Sequence, residues 1–139
     1  MSNPTAIRVL IVDDDPAVVE TLSAVLRDSK QAYTVETASK GSDAIATLFW
    51  QRPDLVLLDI KLPDMSGIEV LKHIRKADPT IPVLMVSGNA TETAFAEALK
   101  HGAFAYIPKP FNVLYIDHLV AVALETRRQN RRGPVRSST

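Results

Sequence analysis

Two kinds of apolar spacing alternate five times along the 139 residues, and this alternation limits the fold more than any other feature of the sequence. Continuous apolar runs of strand length, such as Ile7–Val12, are typical of strands buried on both faces. The segment after each run carries apolar residues every three to four positions, as at Val18, Leu22 and Val25, and this spacing predicts a helix. Five strand–helix units in series predict an α/β domain with helices on both faces of a parallel sheet.

Local signals place the ends of these elements. The predicted strands cover residues 7–12, 33–38, 54–58, 82–86 and 103–107. Four of the helices are preceded by residues that cap helix N-termini well, and these are Asp15, Ser66, Asn89 and Asn112. Asn89 and Ser66 are each followed three residues later by a glutamate, which is the spacing of a capping box. Gly102 is placed to end the fourth helix.

Charge is unevenly distributed along the chain. Residues 127–139 contain five arginines and no acid, so of 16 Lys and Arg residues 11 remain before them, against 16 Asp and Glu. We therefore predict one folded domain over 6–126 and a basic, flexible tail or linker over 127–139. An acidic domain is a poor surface for nucleic-acid phosphates, so direct binding of nucleic acid by this domain is not expected.

Composition excludes several classes of site. The chain has no cysteine, which removes disulfides, thiolate metal sites and cysteine nucleophiles. Its apolar runs are only strand-length, and its first residues lack the pattern of a signal peptide. These observations predict a cytoplasmic protein without a membrane segment.

Polar residues follow four of the predicted strands. Asp13 and Asp14 follow the first, Asp59 the third and Ser87 the fourth, and Lys109 comes shortly after the fifth. The carboxyl ends of parallel strands lie at one edge of the sheet, so these side chains are expected to share a crevice. Clustered carboxylates need a cation, and oxygen ligands with open positions suit Mg²⁺. Such a site is suited to phosphoryl transfer onto a carboxylate.

Four separated motifs carry a resemblance to a known family. The segments VDDDP, DLVLLDIKLPDMSGIEVL, VLMVSG and AYIPKPF, in this order and spacing, resemble the response-regulator receiver family over about residues 6–126. The resemblance implies a flavodoxin-like (βα)5 fold, in which a doubly wound, five-stranded parallel sheet has the strand order 2-1-3-4-5.

The resemblance also implies roles for the acidic residues. Asp59 matches the aspartate that accepts the phosphoryl group. Asp14 matches the direct Mg²⁺ ligand, and Asp13 its acidic neighbour, which usually acts through water. The backbone carbonyl of Lys61 would complete the protein ligands of the metal.

Three more positions match parts of the family's switch. Ser87 matches the hydroxyl residue that binds the phosphoryl group, and Lys109 matches the lysine that pairs first with the acids and then with the phosphate. Tyr106 matches the aromatic residue that changes rotamer, and the Lys109–Pro110 bond is expected to be cis.

The family's activity implies partners. The phosphoryl group would come from a histidine kinase or a phosphotransfer protein, and the chain would catalyse only its own phosphorylation and dephosphorylation. The face made by the fourth helix, fifth strand and fifth helix would then control an output domain, a partner protein or a phosphorylation-linked homodimer.

Three other kinds of protein share this kind of fold. A docking module that works without phosphorylation would be expected to lack one of Asp59, Ser87 or Lys109. A phosphatase with an aspartyl-phosphate intermediate would carry a second acid two residues after its nucleophile, where this chain has Lys61. A flavin-binding protein would need a phosphate-binding loop after the first strand, and here that loop is acidic.

Overall fold

The computed structural model describes residues 6–88 and 91–131, in which strands and helices alternate along the chain. The strands are β1 (Ile7–Val12), β2 (Tyr33–Ala38), β3 (Leu55–Asp59), β4 (Val83–Ser87) and β5 (Ala105–Pro108). The helices are α1 (Pro16–Arg27), α2 (Gly41–Trp50), α3 (Gly67–Ala77), α4 (Glu92–Lys100) and α5 (Val113–Arg131).

All four strand pairs are parallel and form one sheet in the order β2-β1-β3-β4-β5. β1 lies between β2 and β3, so that Val9 pairs with Val35 on one side and with Leu55 on the other. The predicted fold class and strand order are therefore confirmed. The order reverses direction between β1 and β3, which is where open α/β sheets bind their ligands.

The sheet has a separate apolar core on each face because successive residues of a strand point to opposite sides. In β1, Leu10 and Val12 belong to one core, whereas Val9 and Ile11 belong to the other. The first core is closed by buried residues of α2, α3 and α4, namely Ala44, Leu48, Val70, Leu71, Ile74 and Ala98. The second is closed by buried residues of α1 and α5, namely Val18, Leu22, Val25, Leu26, Ile116, Val120 and Ala123.

Three of the predicted helix caps are confirmed. The carboxylate of Asp15 accepts a hydrogen bond from the amide of Ala17 at 3.0 Å. The Ser66 hydroxyl accepts from the Ile68 amide at 3.1 Å, and the Asn112 side-chain oxygen accepts from an amide at 3.1 Å in the first turn of α5. These bonds satisfy backbone donors that a helix leaves unpaired at its start.

The fourth helix starts later than predicted. Thr91 caps it, with the hydroxyl accepting from the Ala94 amide at 3.0 Å, and the helix begins at Glu92. Asn89, which the sequence had favoured as the cap, lies outside the described residues. Gly102 has a φ of +95° and ends α4 as predicted, since a glycine takes this left-handed conformation without steric cost.

The last three strands are also shifted by one or two residues toward the C-terminus. Asp54 precedes β3 and contacts Arg8 twice: its side chain accepts the Arg8 amide at 2.8 Å, and its own amide donates to the Arg8 carbonyl at 2.8 Å. Pro82 precedes β4, and a proline has no amide with which to join a ladder. The acidic and hydroxyl residues at the carboxyl ends are unaffected, although Asp59 and Ser87 now close their strands rather than follow them.

Helix α5 differs most from the sequence prediction. It continues through Arg131, so residues 127–131 are helical where a flexible tail was expected, and the rest of the predicted tail, 132–139, lies outside the described residues. Arg127 is buried, and its guanidinium pairs with Asp54 at 2.5 Å and with Asp78 at 3.3 Å. The ion pairs fasten α5 to the amino edge of the sheet, opposite the acidic residues. Within the described ranges no helix is both long and apolar enough to cross a bilayer.

Replacing Arg127 should destabilise the domain. We expect Arg127→Met to lower the free energy of unfolding by roughly 3 kcal/mol, because Asp54 and Asp78 lose the cation that offsets their partial burial. Urea unfolding measures this loss. The matched control is Arg128→Met, since Arg128 is exposed and pairs with Glu125 on the surface, and its loss should stay within about 0.5 kcal/mol. Equal losses in the two variants would contradict a stabilising role of the Arg127 ion pairs.

Acid should weaken the same contact. Burial raises the pKa of Asp78, but hydrogen bonds from Thr80 and the charge of Arg127 outweigh it, and the net pKa lies below the ordinary value of 3.8. Stability from this group is therefore complete above about pH 4 and is lost as the pH falls through the lowered pKa. Between pH 7 and pH 3, the free energy of unfolding of Asp78→Asn should therefore fall by less than that of the wild type. Urea unfolding at the two pH values measures this difference. Asp28→Asn, which changes an exposed aspartate, is the control.

Candidate functional site

Three carboxylates meet where the order of the sheet reverses. Asp13 and Asp14 follow the last residue of β1, and Asp59 is the last residue of β3, which pairs with β1. Asp13 is 3% exposed and Asp59 7%, whereas Asp14 is open to solvent. Parallel pairing thus places two buried acids and one exposed acid at one crevice, as the sequence predicted.

The geometry of the three acids fits a small divalent cation. One oxygen from each of Asp13, Asp14 and Asp59 can be chosen so that all three lie within 4.8 Å of one another. Separations of this order allow all three acids to contribute to one cation site, directly or through bound water. Oxygen-only donors on an open crevice also match the preferences of this ion.

Lys109 supplies a positive charge to the same crevice. Its ammonium lies 3.5 Å from Asp13 Oδ2 and 4.0 Å from Asp59 Oδ2. The aliphatic part of the side chain passes over Gly88, where an added Cβ would lie 3.4 Å from that of Lys109. One ammonium against three carboxylates leaves two negative charges, and a divalent cation would balance them. The adjacent Lys109–Pro110 bond is cis, as the resemblance implied.

Burial sets the ionisation of Asp59. The pKa of its carboxyl is raised above 3.8 first by desolvation and then by the charge of Asp13, with a smaller contribution from Asp14. Lys109 and a hydrogen bond from the Lys61 amide, at 3.3 Å, lower this pKa but do not cancel the rise. The carboxylate is therefore held in an unfavourable environment for its own charge, which a cation would relieve.

Ser87 connects the crevice to Tyr106. The Ser87 backbone carbonyl accepts the Tyr106 hydroxyl at 2.7 Å and the Lys109 amide at 3.3 Å. The Tyr106 ring lies against Phe95 of α4, with 5.1 Å between the ring centroids. A displacement at the end of β4 would thus move both Lys109 and the Tyr106–Phe95 ring pair.

One residue that the sequence analysis did not single out, Gly67, allows α3 to begin directly against the end of β3. A Cβ at Gly67 would lie 2.0 Å from the backbone oxygen of Asp59, so α3 can begin this close to β3 only with glycine. The Gly67 amide donates to the Ile60 carbonyl at 2.6 Å in the same contact. Glycine weakens a helix relative to alanine, and its place at the first helical position could have indicated a close approach.

The chain belongs to the response-regulator receiver family. The model of the response regulator receiver domain matches residues 9–121, and phosphorylation of an aspartate is the general mechanism of such domains. The sequence is 43% identical over 108 residues to the probable transcriptional regulatory protein TcrX of Mycobacterium tuberculosis, covering 77% of this chain and 45% of that protein. It is 40% identical over 129 residues to the nitrogen assimilation regulatory protein NtrX of Azorhizobium caulinodans, covering 88% of this chain and 27% of that protein.

Solved structures agree with this assignment. A CheY-like receiver domain protein from Methanospirillum hungatei superimposes with a TM-score of 0.85 at 33% identity, covering 91% of this chain and 99% of that one. NtrX from Brucella abortus gives a TM-score of 0.83 at 31% identity, covering 92% of this chain and 29% of that one. The chain covers nearly all of the Methanospirillum hungatei receiver domain but spans less than half the length of the curated relatives TcrX and NtrX.

Removing the charge of Asp59 should stabilise the domain. A raised carboxyl pKa means that the ionised form opposes folding at neutral pH, so Asp59→Asn should raise the melting temperature. Calorimetry at pH 7 without divalent ions measures this difference. Saturating Mg²⁺ should stabilise the wild type more than the variant and narrow the gap. A variant less stable than the wild type without Mg²⁺ would contradict the electrostatic explanation.

Proposed function

We propose that Asp59 accepts a phosphoryl group from a phosphohistidine of a histidine kinase or phosphotransfer protein, in a reaction that depends on Mg²⁺. The observation that carries this proposal is the convergence of Asp59 with two acids and one ammonium at a single crevice. In such a site clustered acids can hold a cation, and an ammonium lies beside the same carboxylates. Both are needed to bring an anionic phosphoryl group to a carboxylate.

The proposed ligands of the ion are the carboxylates of Asp13, Asp14 and Asp59 and the backbone carbonyl of Lys61. Asp13 would act through water, as the resemblance implies, because its carboxylate is already engaged. It accepts the Asp15 amide at 2.9 Å and faces Lys109. When bound, Mg²⁺ would neutralise negative charge on the oxygens of the incoming phosphoryl group.

The transfer itself requires little of the protein beyond positioning. A carboxylate oxygen of Asp59 forms the new bond to phosphorus as the phosphorus–nitrogen bond of the donor histidine breaks, and the electron pair returns to the imidazole. We expect Lys109, 4.0 Å from Asp59, to pair with a phosphoryl oxygen. We expect the hydroxyl of Ser87, a residue at the end of the adjacent strand, to donate to another. Water reverses the modification by hydrolysis of the acyl phosphate.

The readout that we propose is a shift of the face made by α4, β5 and α5. Phosphorylation adds negative charge beside Ser87, whose carbonyl holds Tyr106, and Tyr106 in turn contacts Phe95 on α4. A new position of Ser87 would change the rotamer of Tyr106 and the packing of this face. Phe95 and Leu99 of α4 are 38% and 44% exposed and offer apolar surface to an output domain, a partner protein or a second copy.

Phosphorylation of the purified domain by acetyl phosphate tests the site. The wild type should become labelled in Mg²⁺ and lose nearly all labelling in EDTA. Asp59→Asn should fall at least about 100-fold, because the amide cannot serve as the nucleophile. Intact mass spectrometry or electrophoresis that resolves acyl phosphates measures the labelled fraction.

The control for this experiment lies in the same acidic run. Asp15→Asn keeps the cap of α1, since asparagine caps a helix as well as aspartate, and it removes a charge that is not among the three clustered acids. Its labelling should match the wild type within about twofold. Undiminished labelling of Asp59→Asn would refute the assignment of the phosphoacceptor.

A further inference from the structure

Helix α2 starts without a cap of its own. Lys40 occupies the N-cap position but makes no side-chain hydrogen bond to the helix start. The carboxylate of Asp64, from the segment between β3 and α3, takes this role instead. It accepts the amides of Gly41 and Ser42 at 2.8 and 2.9 Å, with one oxygen for each. Asp64 is exposed, yet these two bonds hold its pKa below the ordinary value.

The segment that carries Asp64 also borders the acidic crevice. We call residues 60–66 the β3–α3 loop. At its start the Lys61 amide donates to the Asp59 carboxylate, and Lys61 forms a bridge with Ser66 at the end of the loop. This bridge closes the loop into a narrow turn with Asp64 near its tip. One side of the loop therefore contacts the phosphoacceptor, and the tip contacts α2.

The β3–α3 loop packs tightly against the start of α2. A Cβ at Gly41 would lie 2.4 Å from Met65 Cγ and 2.7 Å from its sulfur, so the helix start and the loop touch directly. Gly41 and Ser42 are 23 and 22 residues from Asp64 in sequence. The loop is thus fixed from outside by α2 and from inside by Asp59.

We propose that Asp64 is a positioning residue for the metal site: by fastening the tip of the β3–α3 loop to α2, it holds the backbone of Lys61 in place to bind the cation. This role rests on the proposed function, in which Lys61 supplies a carbonyl ligand. Groups that orient metal ligands commonly change affinity by 10-fold to 100-fold when removed. Within the described residues the Asp64 carboxylate makes its hydrogen bonds to α2 and not to the three clustered acids, so its effect passes through the loop.

The competing explanation is that Asp64 matters only as a helix cap. The chain offers a way to separate the two roles. Lys40 is exposed and has the extended conformation of an N-cap residue, with φ −133° and ψ 153°. Serine at position 40 can therefore cap α2 locally without any bond to the loop.

Four proteins make the test: the wild type, Asp64→Ala, Lys40→Ser and the double variant Asp64→Ala/Lys40→Ser. Calorimetric titration with Mg²⁺ alone measures affinity, urea unfolding measures stability, and amide hydrogen exchange at Lys61 reports on the loop without metal. We expect Asp64→Ala to weaken Mg²⁺ binding about 10-fold, to lower the urea midpoint and to speed exchange at Lys61. The double variant should regain the urea midpoint but keep the weak Mg²⁺ binding and the fast exchange.

Several outcomes would overturn the proposal. If the double variant regains Mg²⁺ affinity together with stability, Asp64 is a helix cap and nothing more. If Asp64→Ala binds Mg²⁺ as the wild type does, the loop needs no fastening. If the wild type itself binds no Mg²⁺, the proposed function fails and this role fails with it. Asp64→Asn, which keeps one carbonyl oxygen as an acceptor, should show a smaller loss and replaces Asp64→Ala if that variant does not fold.

Discussion

The close approach of three carboxylates at the carboxyl ends of β1 and β3 is the constraint on which the candidate site depends. Asp13 and Asp59 are nearly buried, and desolvation and neighbouring charge together raise the pKa of Asp59. The fold tolerates this because β1, β3 and β4 are lined by fully buried apolar residues on both faces. Apolar burial stabilises the fold and offsets the unfavourable free energy of the acidic crevice. Lys109 offsets part of the charge, and a cation or a phosphoryl group would reorganise the rest.

The carboxyl ends of the strands form one edge of the sheet and the amino ends form the other, and the two have different roles. At the carboxyl edge, side chains from different strands form a crevice whose charges are left incompletely balanced. At the amino edge, Arg127 and its two acidic partners are buried or half-buried and directly paired. The reactive groups thus lie where charges are incompletely balanced, and the ion pairs that hold α5 lie where charges are balanced. Parallel sheets allow this separation because all strands share one direction.

Sequence alone predicted the fold and most of the crevice, because both depend on local patterns. Apolar periodicity marked every strand and helix, and parallel strand ends determine which side chains meet. The contacts that it missed join residues far apart in the chain without any periodic signal, such as Asp64 with Gly41 and Arg127 with Asp54. Arginine-rich composition favoured a solvated tail at Arg127, and only the packing of α5 against the sheet shows that this arginine is buried.

The anchoring of α5 by Arg127 has a consequence for protein engineering. A chimera that joined this receiver to a foreign effector after residue 126, where the change in charge suggests a boundary, would cut inside a helix that runs through Arg131. It would also separate Asp54 and Asp78 from their shared counter-ion. A junction after Arg131 keeps both, and the direction of the last helical turns then sets the angle at which the fused module leaves the domain.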